Sequence, residues 1–207
     1  MTISPSQITA VILAGGMARR MGGVDKGLQL INGRPMVQHV LQRLQPQVGK
    51  VLINANRHLD EYQRLGLPLC ADVVSDYAGP LAGIHAALMQ TSTPYLLSVP
   101  CDSPLIPLDL VSRLSSALAD HQADAAVVVT GDGNQRQRHP VFLLLKTELQ
   151  HSLEQYLESG QRKVDDWLFS LNCVDVSFDD EGAFMNLNTP EDIRVIIEMT
   201  GSRPAPG

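Results

Sequence analysis

A chain of 207 residues, 44% of them hydrophobic, can bury one sizeable core, and with aromatics at only 4% that core is built from Leu, Val, Ile, Ala and Met. The formal net charge of −6 argues against non-specific DNA or RNA binding as the main task, while leaving room for a local basic pocket. Cys70, Cys101 and Cys173 are odd in number and far apart, with no CxxC pair or Cys/His ligand spacing, which argues against a disulfide framework or a zinc site.

In chain order, ITAVILAG (8–15) is a β-rich run ending in glycines, and PMVQHVLQRLQ (35–45) carries apolar residues at helical spacing, with Pro35 suited to a first turn. KVLINAN (50–56) reads as a strand, about 58–65 as a short helix, and PLCADVV (68–74) as another short strand. PLAGIHAALMQ (80–90) predicts a helix, and PYLLSVPCD (94–102) an apolar strand stopped by Asp and Pro. A helix over about 107–120 has start signals in Pro107 and Asp109. ADAAVVVTG (123–131) and HPVFLLLK (139–146) are β-rich; helices follow at 147–158 and 163–171, then a strand at CVDVSF (173–178) and a last helix after NTPED (188–192). This alternation of continuous apolar strands with helices predicts an α/β fold, a Rossmann-like three-layer sandwich with a mostly parallel sheet covered on both faces. With no internal repeat or linker, residues 1–200 read as a single domain, and 201–207 as a disordered tail. Met1 to Thr9 lacks a basic region and an apolar core, and no apolar run approaches a membrane span, so the expectation is a soluble, reduced, cytoplasmic protein without membrane or nucleic-acid partners.

Ligands in open α/β sheets bind beyond the carboxyl ends of the strands, and the unusual polar residues gather there. LAGG ends the first strand, Asn54 and Asn56 the second; Asp72 follows the third apolar segment and Asp102 the fourth. The loop after LAGG holds Gly15 and Gly16 with Arg19, Arg20 and Lys26. It is not a Walker A loop, because from Gly16 the next glycine comes one residue late, at Gly22, with no Lys-Ser/Thr after it; nor does it contain G-x-G. The physical logic of a phosphate cradle survives: glycines let backbone N–H groups approach an anion, and cations neutralise it. The bland alternative is a surface loop with solvated basic residues.

Asp102 after an apolar strand is either a ligand for a hard cation such as Mg²⁺ or a turn and helix cap at Asp102-Ser103-Pro104. Asp72, Asn54 and Asn56 are either nucleotide contacts or strand-end turn residues. Cys101 lacks a paired base and reads as a small buried residue, and His39 and His85 as structural or surface side chains.

LAGGMARRMGGVDKG resembles the signature of nucleotidyltransferases that activate cofactor or sugar phosphates. Together with NAN, Gly-Pro-Leu-Ala-Gly at 79–83, PCD and NLNTPED, it is similar specifically to the molybdenum cofactor guanylyltransferase family, from about Ile8 to Ile197. The resemblance implies transfer of GMP from GTP to the terminal phosphate of molybdenum-molybdopterin, with release of pyrophosphate. It places Leu13, Ala14, Gly15, Lys26, Asn54, Asp72 and Asp102 on GTP, with Arg20, Lys26 and Asp102 as catalytic groups and Asp102 on Mg²⁺. It points to His139, Arg162, Asn186 and Asn188 for molybdopterin, and leaves Arg19 unassigned. Arg138 stands where an acidic residue is often seen in the family, which puts that segment's contacts in question. Cofactor-synthesis proteins and apo-molybdoenzymes or their chaperones are implied partners. A related enzyme using CTP or another phosphate acceptor, and a nucleotide-binding module without turnover, share the same loop.

Overall fold

The computed structural model describes residues 2–15, 25–74 and 79–201. In chain order the elements are β1 (Ile8–Leu13), β2 (Leu30–Ile31), β3 (Arg34–Pro35), α1 (Met36–Leu44), β4 (Lys50–Asn54), α2 (Leu59–Gln63), β5 (Leu69–Cys70), α3 (Pro80–Gln90), β6 (Tyr95–Pro100), α4 (Leu110–Asp120), β7 (Ala125–Thr130), β8 (Gln137–Lys146), α5 (Gln150–Glu158), α6 (Val164–Leu168), β9 (Cys173–Phe178) and α7 (Pro190–Gly201). Helix α7 takes in Gly201, and the rest of the expected tail, 202–207, lies outside the described residues.

Seven strands form one sheet in the order β5-β4-β1-β6-β8-β7-β9. β1 pairs in parallel with β4 and β6, β4 with β5, and β7 with β9. β8 is antiparallel to both β6 and β7. Only a short turn separates β7 from β8, and a parallel return would need a full crossover. Gly131 (φ +69°) and Gly133 (φ +54°) supply the left-handed backbone which that reversal requires. No helix among the described residues is long and apolar enough to cross a membrane.

The strands are apolar on both faces, and their alternation divides the core in two. Ile8, Ala10 and Ile12 of β1, with Leu97 and Val99 of β6, pack beneath α1 and α4. Val11 of β1 and Leu96 of β6 face the other way, against Leu81 and Ile84 of α3, Leu153 of α5 and Trp167 of α6. The result is the three-layer α/β sandwich expected from the sequence.

Two departures matter for the site. Pro35 does not begin α1 from within; it precedes it, paired with Leu30 in the β2–β3 hairpin. The hairpin turns at Asn32 (φ +49°) and Gly33 (φ +77°), the residue pair favoured in tight two-residue turns. The hairpin also starts a satellite core, in which Ile31 and Met36 pack with Leu187 and Ile196. That core holds the C-terminal segment against the region just after the first loop.

Candidate active site

β4 and β5 lie on one side of β1 and β6 on the other, so the chain changes direction across the sheet at β1, where α/β crevices open. A cavity of about 420 Å³ opens there. Its walls include Leu13, Ala14 and Gly15 after β1, Asn54 and Asp72 from the β4–β5 edge, and Cys101 and Asp102 after β6. Gly79 and Pro80, at the start of α3, and Asn186 close its rim. The four strand ends singled out in the sequence therefore do meet.

Lys26 stands on a single 3-10 turn, Lys26–Leu28. Its ammonium donates to Asp102 Oδ2 at 3.1 Å and to the Asn188 carboxamide oxygen. Both acceptors are held from behind. Leu187 N–H donates to the Asp102 carbonyl at 2.8 Å, and Ser103 Oγ donates to Asn186 Oδ1 at 2.8 Å, pinning residues 186–187 onto the end of β6. The Asp192 carboxylate accepts from the Asn188 and Thr189 backbone N–H groups, both at 2.8 Å, and Asp192 N–H donates back to Thr189 Oγ1 at 3.1 Å. This reciprocal cap starts α7 and orients Asn188. The Asn188 N–H bond is the chief reason that the Asp192 carboxyl lies below the ordinary carboxylate range.

A second cluster forms at the β4–β5 side. Asn54 Nδ2 donates to Asp72 Oδ1 at 2.9 Å and Asn56 Nδ2 to Asp72 Oδ2 at 2.8 Å, while Asp72 N–H donates to Asn56 Oδ1 at 2.8 Å. Asp72 is thus clamped from two sides with one face toward the cavity. Gly83 is required here: a Cβ on it would overlap Asn54 Oδ1 and stand 2.8 Å from Leu13 Cδ2.

The remaining expectations fall elsewhere. Gly16, Arg19 and Arg20 lie outside the described residues. His139 is not on the cavity wall: it shares a hydrogen bond of 2.8 Å with Thr130 Oγ1 and lies 5.4 Å from the Phe184 ring. Burial holds its imidazole below the ordinary pKa, with Glu181 opposing. Arg162 donates to the Leu157 and Gln161 carbonyls at 2.7 Å, closing the end of α5. Arg162 is not among the residues that line the cavity. Arg138 is paired with Asp175.

Burial, with Asp102 and Asp25 adding to it, pushes the Cys101 thiol well above its ordinary pKa, which suits a packing role rather than a nucleophile. His39 bonds the Ile31 carbonyl at 2.9 Å, and His85 is buried in α3 with no hydrogen-bond partner among the described residues. The sequence reading passed over Asp25 and Asp192. Asp192 carried a signal in the Thr-x-x-Asp spacing before an apolar run, whereas Asp25 carried none beyond its neighbour Lys26.

A crevice at a sheet switch point, walled by strand-end Asn and Asp residues and entered by a lysine, is a ligand site, and the chain's relatives place it among the nucleotidyltransferases. Well over half of the chain, residues 10–173, matches the family described as MobA-like NTP transferase domain. A molybdenum cofactor guanylyltransferase from Ralstonia nicotianae is 52% identical over 201 residues, covering 95% of this chain and 98% of that protein. Another, from Shewanella loihica, is 50% identical over 186 residues, covering 89% of this chain and 93% of that protein. The molybdopterin-guanine dinucleotide biosynthesis protein A of Archaeoglobus fulgidus has the same fold, with a TM-score of 0.74 at 23% identity over 95% of this chain and all of that one. The chain belongs to the molybdenum cofactor guanylyltransferase family of nucleotidyltransferases.

Proposed function

We propose that the protein transfers GMP from GTP to the terminal phosphate of molybdenum-molybdopterin and releases pyrophosphate. The observation that carries this reading is that Lys26, bonded to Asp102 and Asn188, lines a cavity of about 420 Å³ together with Asp102 and the Asn54–Asp72 pair. GTP binding is assigned to Leu13, Ala14, Gly15, Lys26, Asn54, Asp72 and Asp102. Gly15 brings the backbone close, because a Cβ there would stand 2.8 Å from Asn56 Nδ2. Asp72, held by two amide donors, keeps its carboxylate fixed for recognition of the nucleoside.

A phosphate monoester is already anionic near neutral pH, so the acceptor needs no strong base. The difficulty lies in bringing two polyanions together and offsetting charge on the departing pyrophosphate, which positioning and fixed electrostatics accomplish. Among the described residues, Lys26 is the cation lining the cavity, and it is assigned to the phosphates. Arg20 is assigned beside it from the resemblance. The acceptor is expected at the side formed by Asn186 and Asn188, with Arg162 and His139 as further contacts implied by the resemblance.

A divalent cation fits the donor chemistry. The Asp102 carboxylate and the Asn188 carboxamide already hold a positive charge between them in the form of the Lys26 ammonium, and both are hard oxygen donors. Mg²⁺ is commonly bound through one or two carboxylates together with substrate phosphates, a role that Asp102 can fill. When bound, Mg²⁺ would supply charge neutralisation at the phosphates.

Thermal stabilisation across the four ribonucleoside triphosphates, with and without Mg²⁺, tests the assignment. GTP with Mg²⁺ should raise the midpoint most; a preference for CTP, or indifference among the four, would overturn the guanylyl reading.

A further inference from the structure

We propose that Tyr62 is a positioning residue for Lys26, acting through Asp25. Tyr62 is fully buried, the one buried side chain of the five-residue helix α2. Its hydroxyl donates to Asp25 Oδ1 at 2.6 Å, and the same oxygen accepts the Gly27 backbone N–H at 3.1 Å. Asp25 is itself buried, 7% exposed, and caps the 3-10 turn that begins at Lys26. Lys26 therefore sits in the chain between Asp25, whose Oδ1 is held by Tyr62, and Gly27, whose N–H donates to that same oxygen. Gly27 completes the fit: a Cβ on it would lie 2.5 Å from the Tyr62 hydroxyl, so the backbone passes directly over that group.

A buried carboxylate must keep its donors. Among the described residues, removing the Tyr62 hydroxyl leaves Asp25 Oδ1 with the Gly27 N–H. The relief open to Asp25 is to turn toward water, and that rotation carries the Lys26 turn away from Asp102 and Asn188. The Tyr62 hydroxyl itself stays protonated, since burial first, then Cys101 and Asp25, push its pKa upward. No residue of helix α2 lines the cavity itself, so its link to the site runs through Asp25.

This rests on Lys26 as a phosphate ligand, and a double-mutant cycle separates the two claims. Calorimetric binding of Mg²⁺–GTP would be measured for the wild type, Tyr62→Phe, Lys26→Ala and the double variant. Phe keeps the ring and its packing. Tyr62→Phe should weaken GTP binding about tenfold, the scale of one lost hydrogen bond to a buried charge, and less than about twofold when Lys26 is already Ala, because coupled residues are not additive. Gly27→Ala, which drives a Cβ against the hydroxyl, should show the same dependence on Lys26 and serves if Tyr62→Phe does not fold. Equal effects in both backgrounds, or unchanged GTP affinity, would reduce Tyr62 to a packing residue. A wild type that fails to bind GTP, or a Lys26→Ala variant that binds it normally, would remove the phosphate reading on which the proposal stands.

Discussion

Asp102 is bound to Lys26 in this structure, and its importance differs for stability and for chemistry. The side chains of Lys26 and Asp102 are 27% and 12% exposed, so the pair is mostly out of water and the cost of desolvating two charges largely offsets their attraction. As the proposed ligand for the nucleotide's cation, the same carboxylate bears on the chemistry far more than on folding. Asp102→Asn should therefore shift the unfolding midpoint by only a few degrees while lowering turnover at least about a hundredfold; near-normal Mg²⁺-dependent turnover would remove the metal role. This residue was legible in the sequence because an acid ending an apolar strand demands an explanation. Asp25 was not. It stands in a Gly-rich stretch where Asp reads as turn chemistry, and its partner Tyr62 is 37 residues away, joined to it only by folding. Asn54, Asn56 and Asp72 fell between: their types and strand-end positions were visible, but the clamp between them depends on β4 and β5 lying side by side.

At the level of elements, α3 meets the sheet through Gly83, one of the closest approaches in the fold. Alanine in a helix interior ordinarily gains about 1 kcal/mol over glycine. Here the added methyl would overlap Asn54 Oδ1 and crowd Leu13, and overpacking costs about 1–3 kcal/mol. The steric cost wins, so Gly83→Ala should lower the midpoint in thermal unfolding and weaken GTP binding through Asn54; a stabilised variant with normal binding would contradict this packing account. Most elements were legible from apolar runs and helix starts. The β2–β3 hairpin was missed although Asn32-Gly33 announces it, because two-residue strands leave no alternating pattern to find. The direction of β8 was not legible either, since apolar strands look alike whichever way they run; only the short turn after Thr130 decides it.

Across the whole molecule, the site is assembled from both ends of the chain. The match to the MobA-like domain ends at residue 173, yet Asn186, Asn188 and the Asp192 cap all lie beyond it. The satellite core of Ile31, Met36, Leu187 and Ile196 is what brings that segment back to Lys26. Its outermost members, Ile31 and Ile196, stand 165 residues apart in the chain (196 − 31), so the sequence showed the motif NLNTPED without showing what it would touch. On the proposed reading, one wall of the cavity addresses the nucleotide and the C-terminal side addresses the acceptor. The most direct measurement of this arrangement is pyrophosphate release with GTP and Mg²⁺, in the presence and absence of molybdenum-molybdopterin, with CTP in parallel. Pyrophosphate should appear with GTP only when the acceptor is added, in step with a guanylylated product; release with CTP instead, or none with either nucleotide, would contradict guanylyl transfer.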